Sequence, residues 1–166
     1  MIIIRKRVIS LALMLLIIGG SVCQAGNNHI YSTWDVLELD SCASAWLIKT
    51  FVDKQAEFKF YPKGDLITEG EAFDTPDAKM KRTQRKSTFE NMLDEYKIKD
   101  PALEKIAQMI HVVEIDFWAC EPDAQTRQLK EKIIMIGKEV KDPHEILERS
   151  FMVMDELYDS LKVKAK

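Results

Sequence analysis

Apolar residues recur at helical spacing over most of the chain and alternate with polar residues only in short stretches near its start. Asp40 and Ser41, either of which suits a helix N-cap, precede the first helical stripe, made of Ala43, Trp46, Leu47, Ile48, Phe51 and Val52. Four further helices are predicted, beginning at a capping box from Ser87 to Glu90, at Asp100-Pro101, at Glu121-Pro122 and at Asp142-Pro143.

Alternation predicts the strands. Residues 57–61 alternate charged and aromatic side chains and are ended by Pro62. Tyr31–Leu39 alternates loosely, and a second short strand is predicted near Ala72-Phe73. The chain is therefore predicted to be α+β and helix-dominant, with about five helices and a small two- or three-stranded sheet in a single domain over residues 26–166.

The first 25 residues have the pattern of a signal peptide. Basic residues at positions 5–7 precede an apolar stretch of about 11 residues, which is short for a membrane span of roughly 20. Cys23-Gln24-Ala25 is a tolerable cleavage site. We therefore expect an exported protein, periplasmic or extracellular, with no stable membrane span after cleavage.

Charge and glycine spacing exclude several function classes. The chain has 24 basic and 27 acidic residues. Three of the basic ones lie in the leader, which leaves 21 against 27 and a net charge of −6. That balance disfavours binding to nucleic acid. Of the six glycines, no two that lie after position 26 are close enough to form the phosphate cradle of a nucleotide site, and no flavin motif is visible.

Export also bears on the cysteines. Cys42 and Cys120 remain after removal of the leader, and an even pair in an oxidising compartment could form a disulfide. Two buried thiols are the main alternative, and a redox or catalytic thiol is a third.

His111 is the first candidate for chemistry. It stands near the end of a predicted apolar helix, and Glu114 follows it by three residues on the same face. A His and a carboxylate at that spacing can ligate Zn or Fe, or can act as a base with an orienting partner. Asp40 and Glu90 are further carboxylates, although a capping role explains each of them.

Residues 79–86 carry five positive charges and run directly into the helix that begins at Ser87. A helix N-terminus favours anions, and basic residues beside it, chiefly Arg82, Arg85 and Lys86, could contact an oxyanion. A solvated basic loop is the alternative.

Several blocks of the sequence together resemble the chromate resistance exported protein family, which is also the C-terminal domain of the chromate resistance protein ChrB. The blocks are Asp40–Ile48, Phe51–Asp53, Ala56–Phe60, Phe73–Pro76, Ser87–Glu90 and Asp100–Leu103, with Ile110-His111. The resemblance implies a domain that senses or handles chromate or a related metal species. It also implies that Asp40, Glu90, His111 and Glu114 form one site.

The chain departs from the family pattern at three positions. Ser41 replaces an Arg that the family often has, Arg82 replaces a His and Ser87 replaces a Cys. Two residues of ligand type are thus lost, one of them to a permanent cation, which favours contact of an anion with the loop around Arg82.

Three functions follow as hypotheses. The first is an exported protein that binds a metal ion, such as Zn or Fe, or a small oxyanion. The second is a hydrolase-like enzyme that uses His111 with Glu90 or Glu114. The third is a structural or partner-binding protein of the cell envelope, which would use the apolar stripe from Leu147 to Leu161.

Overall fold

The computed structural model describes residues 29–164, so the predicted signal peptide lies outside the described residues. Within this range the chain forms three strands and five α-helices, and a π-helical turn, Ile48–Val52, extends the first helix. The strands are β1 (Ile30–Trp34), β2 (Glu57–Tyr61) and β3 (Glu71–Ala72). The helices are α1 (Leu39–Leu47), α2 (Thr88–Glu95), α3 (Pro101–Glu114), α4 (Ala124–Glu139) and α5 (Pro143–Lys164). The predicted α+β, helix-dominant class is confirmed.

The three strands form one parallel sheet in the order β2-β1-β3. Ile30 pairs with Glu57 at one end of β1 and Trp34 pairs with Tyr61 at the other, while Tyr31 pairs with Glu71 on the opposite side. Because all the strands point the same way, their carboxyl ends meet at one edge of the sheet. The residues that follow each strand are therefore gathered in one place.

Most predicted helix starts are confirmed by their caps. The Ser87 hydroxyl accepts from the amide of Glu90, whose carboxylate in turn accepts from the amide of Ser87. Asp100 caps α3, with Pro101 as its first residue. The fourth helix begins at Ala124, slightly later than predicted, because Asp123 is the residue whose side chain accepts from an amide of the first turn, that of Thr126.

The segment between β1 and α1 differs from the sequence-based prediction. The strand predicted to reach Leu39 ends at Trp34, and α1 begins at Leu39 with Glu38 as its N-cap. Neither Asp40 nor Ser41 is the N-cap: the side chain of Asp40 points to the amides of α2, and Ser41 is the third residue of α1, whose hydroxyl accepts from the amide of Glu38.

The core is built around α1, every residue of which is buried. It packs against α2 and α5, and the Trp46 indole donates to Asp155 Oδ1 over 2.7 Å. The stripe of α5 considered as a partner surface is part of this core, since Leu147, Met154, Leu157 and Leu161 are all buried. No helix among residues 29–164 is long and apolar enough to cross a membrane.

The two cysteines are not bonded to each other. Cys42 is fully buried in α1, whereas Cys120 is exposed in the loop between α3 and α4, and both are free thiols. Burial raises the pKa of Cys42 to about 12, which keeps it protonated and unreactive. The structure therefore does not form the disulfide considered for this pair, because one sulfur is enclosed by the core.

Candidate functional site

The buried carboxylate of Asp40 caps α2. Its Oδ2 accepts from the amide of Thr88 over 2.8 Å, and its Oδ1 accepts from the amide of Phe89 over 2.9 Å. The hydroxyl of Ser87 accepts from the amide of Glu90, so three amides of the first turn of α2 have protein partners. The N-terminus of α2 therefore already holds an anion, and that anion is Asp40.

The guanidinium of Arg82 lies among three carboxylates from different parts of the chain. Its Nη1 is 3.0 Å from Glu114 Oε2, and its Nε is 3.4 Å from Asp40 Oδ2. The Nε atom is buried and too poorly aligned for a hydrogen bond, so its attraction to Asp40 is one of charge. Nη2 is 3.9 Å from Glu38, beyond hydrogen-bonding distance. Nη1 of Arg82 is thus paired with Glu114, whereas Nη2 is held less closely by its neighbouring carboxylate, Glu38.

Asp74 lies on the other side of Asp40, two residues after β3. Its backbone φ of 51° is in the left-handed region, which is uncommon for a residue other than glycine. Its Oδ2 accepts from the hydroxyl of Ser41 and its Oδ1 from the hydroxyl of Thr88, each over 2.5 Å. Asp74 therefore connects the ends of β3, α1 and α2.

Burial and neighbouring charges shift the pKa values of the carboxylates around Arg82 and of Arg82 itself. Burial, followed by repulsion from Asp40, raises the pKa of Asp74 to about 7. Burial also raises the pKa of Asp40 against the opposing effect of the α2 amides and Arg82, and it raises that of Glu114 against the effect of Arg82. Burial alone would lower the pKa of Arg82, but the surrounding carboxylates outweigh it and keep the guanidinium charged.

A cleft of about 480 Å³ opens at the carboxyl edge of the sheet. Every strand supplies residues to its wall, and the basic loop adds two more. The lining residues are Trp34 at the end of β1, Val36 and Glu38 after it, Ser41 in α1, Lys63 after β2, Asp74, Thr75 and Pro76 after β3, and Lys81 and Arg82. Clefts at this edge of parallel sheets are the usual place for ligands in folds of this kind.

His111, in the last turn of α3, makes a second cluster. Its Nδ1 is 2.9 Å from Glu90 Oε2, which also accepts from the amide of Ser87. Its Nε2 is 3.4 Å from Asp116 Oδ2, just beyond the end of the helix. The imidazole is about a quarter exposed, at 27%. Glu90 and Asp116 therefore flank the two ring nitrogens.

The four residues expected to form one site are divided between these clusters. Asp40 and Glu114 both contact Arg82, whereas Glu90 contacts His111. Glu114, one of the two carboxylates considered as a partner of His111, binds the guanidinium instead. Within residues 29–164, no three His, Cys, Asp or Glu side chains are grouped so that they could hold a metal ion.

The three basic residues expected to contact an anion are also separated. Arg82 lines the cleft, while Lys86 forms an ion pair with Asp94 on the surface of α2. Arg85 is exposed in the loop. The premise that the amides of α2 are free for an external anion is wrong, because Asp40 and Ser87 already use them.

Sequence reasoning missed Asp74, Lys63 and Asp116. Lys63 and Asp74 follow strands, and only the knowledge that those strands are parallel would have brought them together. Asp116 was the easier one to find, since it lies five residues after His111, immediately beyond the helix end.

Comparison with known proteins gives one match. The family model described as "ChrB, C-terminal domain" matches residues 31–161, which include both clusters and the whole cleft. Neither the curated proteins nor the solved structures gave a match.

Replacement of Asp40 tests the central contact. We expect Asp40→Asn to lower the free energy of unfolding by about 3 kcal/mol or more, since it removes a buried charge beside Arg82 and sets an amide NH₂ against a backbone N–H. Ser87→Ala is the matched control, because it removes an uncharged cap from the same helix and should cost about 1 kcal/mol. Urea unfolding measures both, and equal losses would contradict a special role for the Asp40 charge.

The raised pKa of Asp74 predicts a pH dependence of stability. Its ordinary pKa is 3.8, so between about pH 4 and pH 7 the folded protein keeps a proton that the unfolded chain has released. The contribution of Asp74 to the free energy of unfolding therefore decreases as the pH rises through that range. Asp74→Asn removes this contribution.

Urea unfolding of wild type and Asp74→Asn at about pH 4.5 and about pH 7.5 measures the effect. The stability of the variant relative to wild type should be higher at the higher pH. A difference that is the same at both pH values would contradict the assignment.

Proposed function

The chain belongs to the family of the ChrB C-terminal domain, whose function is related to chromate resistance. We propose that this member of the family binds a small tetrahedral oxyanion of the chromate type in the cleft at the carboxyl edge of its sheet. The observation that carries the proposal is the convergence of Lys63, Lys81 and Arg82, from separate segments, on that one cleft.

The three basic side chains differ in how many of their N–H donors already have protein partners. Lys63 is exposed after β2, and its backbone amide, but not its side chain, is held by Asp35. The ammonium of Lys81 donates to the carbonyl of Pro76 over 2.6 Å, which uses one of its three protons. Arg82 keeps its Nη2 edge beyond hydrogen-bonding distance of Glu38. These groups can supply the several N–H donors that a dianion with four oxygens requires.

The buried carboxylate of Asp40 and the half-buried carboxylate of Glu114 hold Arg82 at the wall of the cleft. Asp40 and Glu114 attract the guanidinium from the protein side, so its position does not depend on a ligand. Such preorganisation reduces the entropy lost on binding. The raised pKa of Asp74 also reduces the repulsion between Asp74 and an anion in the cleft, because near neutral pH its carboxyl group is uncharged in a large share of the molecules.

The proposed location is outside the cytoplasm. The support is the pattern of residues 1–25, with its basic start, apolar stretch and cleavage site after Ala25. In an exported position the domain would meet chromate before the ion crosses the inner membrane.

Neutralisation of the cleft lysines tests binding. We expect the double variant Lys63→Met and Lys81→Met to bind chromate at least about tenfold more weakly than wild type, since two charge-assisted hydrogen bonds are lost. Isothermal titration with chromate, repeated with sulfate and molybdate, measures this, and Trp34 in the cleft wall gives a fluorescence signal.

The matched control is the double variant Lys79→Met and Lys86→Met. These lysines come from the same basic stretch, but they pair with Glu95 and Asp94 outside the cleft. Their removal changes the net charge by the same amount and should leave the affinity within about twofold of wild type. If the control variant loses binding instead, the anion lies on the surface of the loop and the cleft proposal is wrong.

Export is tested on the full-length chain expressed in a bacterium with two membranes. Mass spectrometry of the extracytoplasmic fraction should find a protein that begins at Gly26. Retention of the intact chain in the cytoplasm would overturn the proposed location.

A further inference from the structure

We propose that His111 Nε2 and Asp116 Oδ2 form a binding site for one divalent transition-metal ion of the zinc type, separate from the anion cleft and independent of its function. The site lies where α3 ends, and its two ligands come from adjacent turns of the chain.

The hydrogen bond between His111 Nδ1 and Glu90 favours a metal at Nε2. A carboxylate can only accept a hydrogen bond, so Nδ1 donates its proton to Glu90 over 2.9 Å. In the neutral ring this leaves the lone pair on Nε2. Carboxylate–His–metal arrangements are built in this way, with the carboxylate fixing the tautomer and the ring orientation.

Glu90 is itself fixed. Its Oε2 accepts from the backbone amide of Ser87 over 2.8 Å as part of the α2 capping box. Glu90 is therefore a positioning residue, and the rigid start of α2 determines where Nε2 points.

The distance between the two ligand atoms fits a tetrahedral ion. Zinc binds imidazole nitrogen and carboxylate oxygen at about 2.0–2.2 Å, so two such ligands at a tetrahedral angle are about 3.4 Å apart. Nε2 and Oδ2 are separated by 3.4 Å. That separation is long for an N–H···O hydrogen bond, whose usual value is about 2.9 Å.

The surroundings also favour a cation. Two carboxylates, Glu90 and Asp116, flank a single imidazole, so the cluster is negative when the ring is neutral. Asp116 is 42% exposed on its side chain and the imidazole 27%, which leaves room for water to complete the coordination.

The test is a titration of the full chain with Co²⁺, followed by visible absorption and by competition with Zn²⁺. We expect saturation at one ion per chain. His111→Ala should abolish saturable binding, and Asp116→Asn, at a partly exposed position outside the helices, should weaken it at least about tenfold. Circular dichroism checks that each variant is folded. If His111→Ala does not fold, Asp116→Asn still tests the proposal.

The chain provides a matched control in its other His–Asp pair. His29 Nδ1 lies 2.6 Å from Asp53 Oδ2, a hydrogen bond that leaves no space for an ion between the two atoms. His29→Ala should bind Co²⁺ as wild type does. Because the chain has only three histidines, proton NMR can also show which imidazole is shifted by paramagnetic Co²⁺.

We expect the shifted resonances to be those missing from His111→Ala. Absence of saturable binding by the wild type would overturn the proposal. So would binding that survives both His111→Ala and Asp116→Asn, or a paramagnetic shift confined to His29 or His144. Loss of chromate binding alone would overturn the cleft proposal and leave this one intact.

Discussion

A single buried carboxylate connects most of what is distinctive in this domain. Asp40 is enclosed in the first turn of α1, where an isolated charge would be very costly. It is stabilised by two amides of α2 and by the charge of Arg82. These contacts fix the start of α2 against α1 and hold the basic loop against both. The positions of Glu90 and Arg82, and through them both proposed sites, depend on that arrangement.

The parallel sheet supplies the second constraint. Three short strands that run the same way bring Trp34, Lys63 and Asp74 to one edge, although these residues are far apart in the chain. Another part of the cleft wall is the loop that Asp40 and Glu114 hold through Arg82. The cleft therefore requires the sheet and the capped α2 to form together, so the proposed binding would depend on the stability of that junction.

The last turn of α3 serves both clusters. Glu114 is directed to Arg82 and His111 to Glu90, so two residues three positions apart contact different partners across the start of α2. In this chain a guanidinium occupies the space between Asp40 and Glu114. A permanent cation there neutralises the carboxylates without a metal ion, and the remaining His111 and Asp116 form a smaller, more exposed pair.

The sequence by itself determined the helices, the strand at residues 57–61 and the N-caps of α2 and α3, because these depend on side-chain periodicity and on amides within one turn. It also identified Asp40, Glu90, His111 and Arg82 as residues of interest. It could not determine which of them meet. Asp40 matched a cap for its own helix, yet it caps α2, 48 residues away in the chain. Long-range partners are chosen by packing and by the need to neutralise buried charge, and only the tertiary structure decides these.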